Sequence, residues 1–257
     1  MNTFSEIKHY VDLLITNFSN VHLNLYILFT ITILFLAFHA LRNKPILSTI
    51  SIGFSFFPVL IHELGHAFAA QIVGGRVDDI RMVLSQKKQQ ESGKQGYAVT
   101  RANHKLKFVV ITFFGYVAPP LTLFSGVYFA YNDMTFIFLL LCLLFLVFYF
   151  IMTSQKWIPL ILLLIVGYAC YNIIIQQYSL VTASTSFIYN VLLGLLLGET
   201  IQSIIITTKT TFSKQSSEWD GSAMRSLTFL PVTFWWFVWT FISAVSMYKV
   251  FIIFLNL

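Results

Sequence analysis

Residues 56–75 read FFPVLIHELGHAFAAQIVGG, an apolar run interrupted by two histidines and a glutamate. Ionisable side chains within a bilayer are costly and face a cavity or a partner where they occur. The meaning of His62, Glu63 and His66 therefore turns on whether this run lies in a membrane. Composition answers that question. Of 257 residues, 57% are hydrophobic and only 10% are charged, whereas soluble domains carry about 25% charged residues. No soluble core of this size hides so much Leu, Ile and Phe, so the expected fold class is an all-α polytopic membrane protein.

A helix needs about 20 apolar residues to cross the hydrocarbon core. Seven transmembrane helices are expected, over residues 23–41, 46–73, 108–131, 134–152, 157–175, 187–206 and 228–255. Gly53 and Pro58 predict a kink in the second, and the length of the seventh predicts tilt or a break. After the second span, Ile80, Met82 and Leu84 alternate with Arg81 and Val83, and a polar turn leads to GYAVT at 96–100, which predicts a small β-hairpin. In the first 20 residues, Phe4, Ile7, Val11, Leu14 and Phe18 recur at helical spacing. Residues 1–20 therefore read as an interfacial amphipathic segment, and 21–257 as one membrane-embedded domain. Cys142 and Cys170 both lie in apolar runs and read as packing residues.

The formal charge of +6 fits basic loops flanking a lipid bilayer better than it fits nucleic acid, and no nucleic-acid partner is expected. With the N-terminus inside, all but three of the 16 Lys and Arg residues fall on the inner side. The exceptions are Arg42, Lys44 and Lys249. The N-terminus and the HELGH end of the bundle are thus expected to be cytoplasmic.

On an α-helix, residues i and i+4 share a face, so His62 and His66 can share one metal ion. Glu63 is offset by about 100°, which lets it reach a water held by the metal without occupying the metal itself. This is the H-E-x-x-H arrangement of zinc metalloproteases: two ligands and a general base. With six His in 257 residues, a shuffled chain would contain such a match with roughly 0.3% probability. One Zn2+ is therefore the expected cofactor.

A catalytic zinc takes three protein ligands and leaves a fourth position open. The third must come from the same end of the bundle, where the candidates are Asp220, Glu199, His104, Asp78 and Asp79. Asp220 precedes Gly221 just before the last span, and an Asp there serves equally well as a helix N-cap. Glu199, in LLGLLLGETIQSI, is an acid within the sixth span and can be a ligand, a gate or a partner for Arg225. His104 reads as a solvated loop histidine, and Asp78 and Asp79 as residues on the exposed face of the hairpin. His39 reads as interfacial.

Three stretches, HELGHAFAAQIVGGRV, FFGYVAPPLTLFSG and WDGSAMRSLTFLPVTFWWFVW, occur in the order found in site-2-protease-like membrane zinc metallopeptidases. The chain resembles that family over about residues 55–245, and most closely its compact, metallopeptidase B-like branch. The resemblance implies His62, His66 and Asp220 as zinc ligands and Glu63 as catalytic base, with the hairpin helping to hold substrate. Better-studied members have Leu before the Asp–Gly pair and a nearby Asn. Here Trp219 precedes Asp220, and no Asn stands in TTFSKQSSEWDG. The expected function is hydrolysis of peptide bonds in transmembrane or membrane-associated protein substrates. The alternatives are a non-proteolytic zinc-binding protein, as transporter or regulatory relative, and a metal-free membrane anchor.

Overall fold

The computed structural model describes residues 7–12, 15–16, 21–174, 178–213 and 218–256. After a helical stretch at 7–12 and 15–16, the chain forms α1 (Leu25–Ala40), α2 (Pro45–Ile72), β1 (Arg76–Met82), α3 (Gln86–Ser92) and β2 (Gly96–Arg101). It continues as α4 (Lys105–Tyr131), α5 (Thr135–Met152), α6 (Trp157–Ile174), α7 (Tyr178–Thr211), α8 (Asp220–Thr228) and α9 (Val232–Leu255). Of the predicted N-terminal face, Ile7 and Val11 are exposed, while Phe4, Leu14 and Phe18 lie outside the described residues.

Among the described residues, five helices are long and apolar enough to cross a membrane, rather than the seven expected: α2, α4, α5, the stretch Ala183–Phe212 and α9. The first and fifth expected spans correspond to the shorter apolar helices Leu25–Ala40 and Trp157–Tyr168. The 16 residues of α1 rise about 24 Å, short of a core roughly 30 Å thick. The seventh expected span, 228–255, runs unbroken from Val232 to Leu255, and only its start is displaced. Phe229 takes a left-handed conformation (φ 63°), and Pro231, which has no N–H to give, starts α9 as its N-cap. α2 remains one helix through Pro58.

Helix α2 packs extensively against α4. Gly65 makes this possible: a Cβ there would stand 2.5 Å from the Phe114 carbonyl oxygen and 2.7 Å from Ala118 Cβ. Helix α4 also accepts polar anchors from α9. Trp239 Nε1 donates to the Phe113 carbonyl (3.0 Å) and Ser246 Oγ to the Pro120 carbonyl (2.5 Å).

The expected direction of the first span is reversed. α1 lies along α7 in the same chain direction: Asn24 N–H donates to Asn190 Oδ1, Thr32 Oγ1 to the Gly194 carbonyl, and Phe35 fills the space beside Gly198. The start of α1 therefore sits at the bundle end away from the hairpin. At its other end, the Arg42 carbonyl accepts from Gln86 in α3. Arg42 and Lys44 thus stand with the basic residues around the hairpin and not apart from them as expected.

The hairpin forms as expected, with a helical connection in place of a tight turn. β1 and β2 pair antiparallel, Ile80 opposite Ala98, with a register irregularity between Val77 and Asp79. Gly93, at φ +68°, ends α3 in a conformation that suits glycine. The outer edge of β1 is capped by the α5–α6 turn: Thr153 Oγ1 donates to the Ile80 carbonyl (2.6 Å), while the Gln155 amide bonds both the N–H and the carbonyl of Met82.

Asp78 and Asp79 are fasteners, not residues of an exposed face. Asp78 pairs with Arg76 and Arg101. Asp79 accepts from the Ser154 N–H and Oγ, each at 2.8 Å, and pairs with Arg81. Burial pushes the Asp79 carboxyl up, but the Ser154 and Arg81 hydrogen bonds outweigh it and leave it below its ordinary value. A lowered folded-state pKa contributes stability above the unfolded value of about 3.9 and loses it as pH falls below that. Asp79→Ala is expected to speed amide exchange in β1 at pH 7 while leaving α4 and α9 protected. The same loosening should appear in the wild type only in acid, below about pH 4.

Candidate metal centre

The inward face of α2 carries His62 and His66 one turn apart. His66 Nδ1 donates to the Ile111 carbonyl of α4 at 2.8 Å, which leaves its Nε2 lone pair free to face the cavity. That Nε2 stands 3.1 Å from His62 Nε2. Asp220 Oδ2 lies 3.3 Å from each imidazole nitrogen. Among the described residues, this is the group of His, Cys, Asp and Glu that can hold a metal ion. Burial pushes the Asp220 carboxyl up, yet the two histidines outweigh burial and hold it below the usual carboxylate range.

The donor set fits zinc. Nitrogen and oxygen ligands at 2.0–2.1 Å from a tetrahedral ion stand about 3.3 Å from one another, which is the spacing found here. Two imidazoles with one carboxylate form a common zinc set. The set leaves a fourth position for water or substrate.

The local sequence explains why these atoms converge. Gly115 of α4 lies against both histidine rings, and a Cβ there would overlap His66. Asp220 is the first residue of α8, whose N-cap is Trp219, so the N-cap alternative for Asp220 does not hold. Ser222 Oγ accepts from the Trp219 N–H (3.0 Å) and donates to its carbonyl (2.7 Å), fixing this turn. The Trp219 indole folds over Gly221, where a Cβ would overlap the ring. It joins Tyr116 and Trp239 in an aromatic wall, with the Tyr116 and Trp239 ring centroids 4.9 Å apart. Tyr116 meets the edge of His62 at 4.8 Å.

Glu63 is 6% exposed and lines the same cavity of about 490 Å³ as the histidines and Asp220. Gly96 of β2 packs on its side chain, and the Ala98 N–H is directed at its carboxyl. Glu199 and Gln202 of α7 line this cavity as well, but Glu199 is not among the three converging ligands. His104 is the N-cap of α4, its Nδ1 accepting from Leu106 N–H, and is no ligand. Cys142 is a free, partly buried packing residue, as expected.

The sequence reading missed Tyr116, Trp239, Gly115 and Gln202 as cavity or support residues. One signal for Gln202 was present: Glu199, Gln202, Ser203, Thr207 and Thr210 fall at helical spacing on one face of an otherwise apolar segment.

A family model of Peptidase M50B-like proteins matches residues 30–250. The chain belongs to that family. Neither a curated protein nor a solved structure matches it. Membership makes the chain a membrane metallopeptidase in general terms, from a family whose M50 peptidases depend on zinc.

Purified wild type is expected to hold about one zinc per chain. His62→Ala and Asp220→Ala should lose it, and Glu199→Ala should keep it. Gly115→Ala should weaken zinc affinity by about tenfold or more, because the new methyl displaces the His66 ring that Ile111 orients. Metal analysis after dialysis against a graded chelator series measures all four.

Proposed function

We propose that this M50B-like chain is an intramembrane zinc endopeptidase that cuts transmembrane or membrane-associated protein substrates. The reading takes His62, His66 and Asp220 as ligands of one zinc ion and Glu63 as the catalytic base. The observation that carries it is the convergence of two α2 imidazoles and the α8 carboxylate beside a buried glutamate. A metal-storage or transport site has no use for that fourth group, which weighs against the non-proteolytic alternative.

Bound in this set, zinc would polarise the scissile carbonyl and acidify the attacking water. Glu63 accepts the proton of that water and returns it to the leaving amine. The Ala98 N–H and the packed Gly96 hold the Glu63 carboxyl in place for both transfers. His66 keeps its tautomer through Ile111. Tyr116, Trp219 and Trp239 keep Asp220 and His62 in register and exclude bulk water from that side.

A substrate helix satisfies its own backbone and must unwind before its carbonyl can be attacked. The hairpin suits that task. Val83 N–H bonds the Gln95 carbonyl, so by alternation Tyr97 and Val99 bond toward β1, while the backbone groups of Gly96 and Ala98 point to the other edge, where the Ala98 N–H meets Glu63 and the Gly96 groups and the Ala98 carbonyl remain open. That edge lines the cavity, whereas the outer edge of β1 is already occupied by Thr153 and Gln155. An unwound segment can add to β2 as a further strand.

In this reading residues 21–257 form the membrane-embedded domain, 1–20 an interfacial segment, and the site end faces the cytoplasm, where the basic residues gather. Glu63→Gln is expected to abolish cleavage of a single-span reporter peptide, lowering kcat by about a thousandfold or more, with zinc still bound. Wild-type cleavage rates in that variant would overturn the role of Glu63, whereas metal flux in proteoliposomes that Glu63→Gln leaves unaffected would favour a transporter.

A further inference from the structure

Helix α7 forms a second polar wall of the catalytic cavity, and it is incompletely satisfied. Its hydroxyls are spoken for by the helix itself: Thr200 Oγ1 donates to the Leu196 carbonyl and Thr207 Oγ1 to that of Ser203. The two longer side chains are not. Among the described residues, Glu199 Oε2 and Gln202 Oε1 are buried and have no hydrogen-bond partner. Gln202 is only 4% exposed. Both residues line the cavity with His62, Glu63 and Asp220, and at a spacing of three they share one face of the helix.

Leaving buried polar atoms unmatched is costly, and more so at membrane depth. Two such atoms on one helix face point to a ligand that completes them. A primary amide offers one acceptor and two donors, which matches the N–H and carbonyl of a peptide group. The carboxyl of Glu199 adds an acceptor one turn away. On the other wall, the outward N–H and carbonyl of Gly96 and the carbonyl of Ala98 present the complementary pattern of a strand edge.

We propose that Glu199 and Gln202 form a subsite that binds the backbone of an unwound peptide segment and holds it between α7 and the β2 edge. This assigns a substrate-binding role to α7 and rests on the peptidase reading of the same cavity. A group kept for binding, not for folding, carries a recognisable signature. Its removal weakens substrate binding yet leaves the free protein as stable or more stable, because the unmatched atom disappears with it.

The test uses full-length protein in detergent and a fluorophore–quencher peptide of about 25 apolar residues with a Gly-Pro break at its centre. For Gln202→Leu, KM is expected to rise about tenfold or more with kcat within about twofold of wild type. Zinc content should be unchanged and the Tm equal or higher. Glu199→Leu should raise KM similarly, and Glu199→Gln should restore most of the loss, since an amide oxygen can still accept. In a Glu63→Gln background, peptide binding read by fluorescence anisotropy should weaken by the same factor in each α7 variant. Unchanged KM and binding in both leucine variants would overturn the subsite, as would a lowered Tm of Gln202→Leu, which would make the amide structural. If zinc-loaded wild type neither cleaves nor binds the peptide, the peptidase reading itself fails. Wild-type cleavage that is indifferent to α7 overturns the subsite alone.

Discussion

The bundle is organised around three polar atoms, drawn from two helices, held at the spacing of a shared cation's ligands. Two imidazole nitrogens and a carboxylate oxygen are brought within 3.1–3.3 Å of one another. Nothing about the apolar packing around them requires this. It is imposed by three separate restraints: the Ile111 carbonyl, which fixes His66; Gly115, which lets α4 close on both rings; and the Trp219–Ser222 turn, which delivers Asp220 from a different helix.

The contacts that hold these restraints in place are mostly polar contacts to helix backbones. A bilayer gives apolar surfaces little reason to associate, so close approach and interhelical hydrogen bonds do more of that work than in a soluble protein. Gly65 lets α2 and α4 touch at backbone distance. Trp239 and Ser246 then tie α9 to carbonyls of α4, and Asn190 ties α7 to the residues preceding α1. α4 is the common member of the first two contacts. It is also the helix that supplies Ile111, Gly115 and Tyr116 to the site, so bundle packing and ligand geometry share one element.

The two edges of the hairpin differ in what covers them. Unpaired strand edges within a protein of this kind are a hazard unless they are covered. One edge is covered by the chain itself, through Thr153 and Gln155 at the α5–α6 turn. The other faces the cavity beside Glu63. Asp79 fixes the covered edge by its bonds to Ser154, which keeps the open edge at a constant distance from α2.

The sequence by itself determined the membrane class, the hairpin and the HELGH pair with its neighbouring glutamate, because each is written in local periodicity: long apolar runs, alternation, and i, i+4 spacing. Family membership was legible for the same reason. It left Asp220 and Glu199 both open as third ligand, since the choice depends on where α8 starts relative to α2, across more than 150 residues of chain. Tertiary structure brings the Asp220 carboxylate, and not that of Glu199, to the two imidazoles, with a Trp N-cap that frees the Asp220 side chain from capping. It also decided the direction of α1, whose apolar residues read the same in either sense; only the Asn190 and Gly194 contacts fix which end meets which. The partners of Glu199 and Gln202 were beyond the sequence too, because an unmatched atom is a property of three-dimensional surroundings and leaves no trace in spacing.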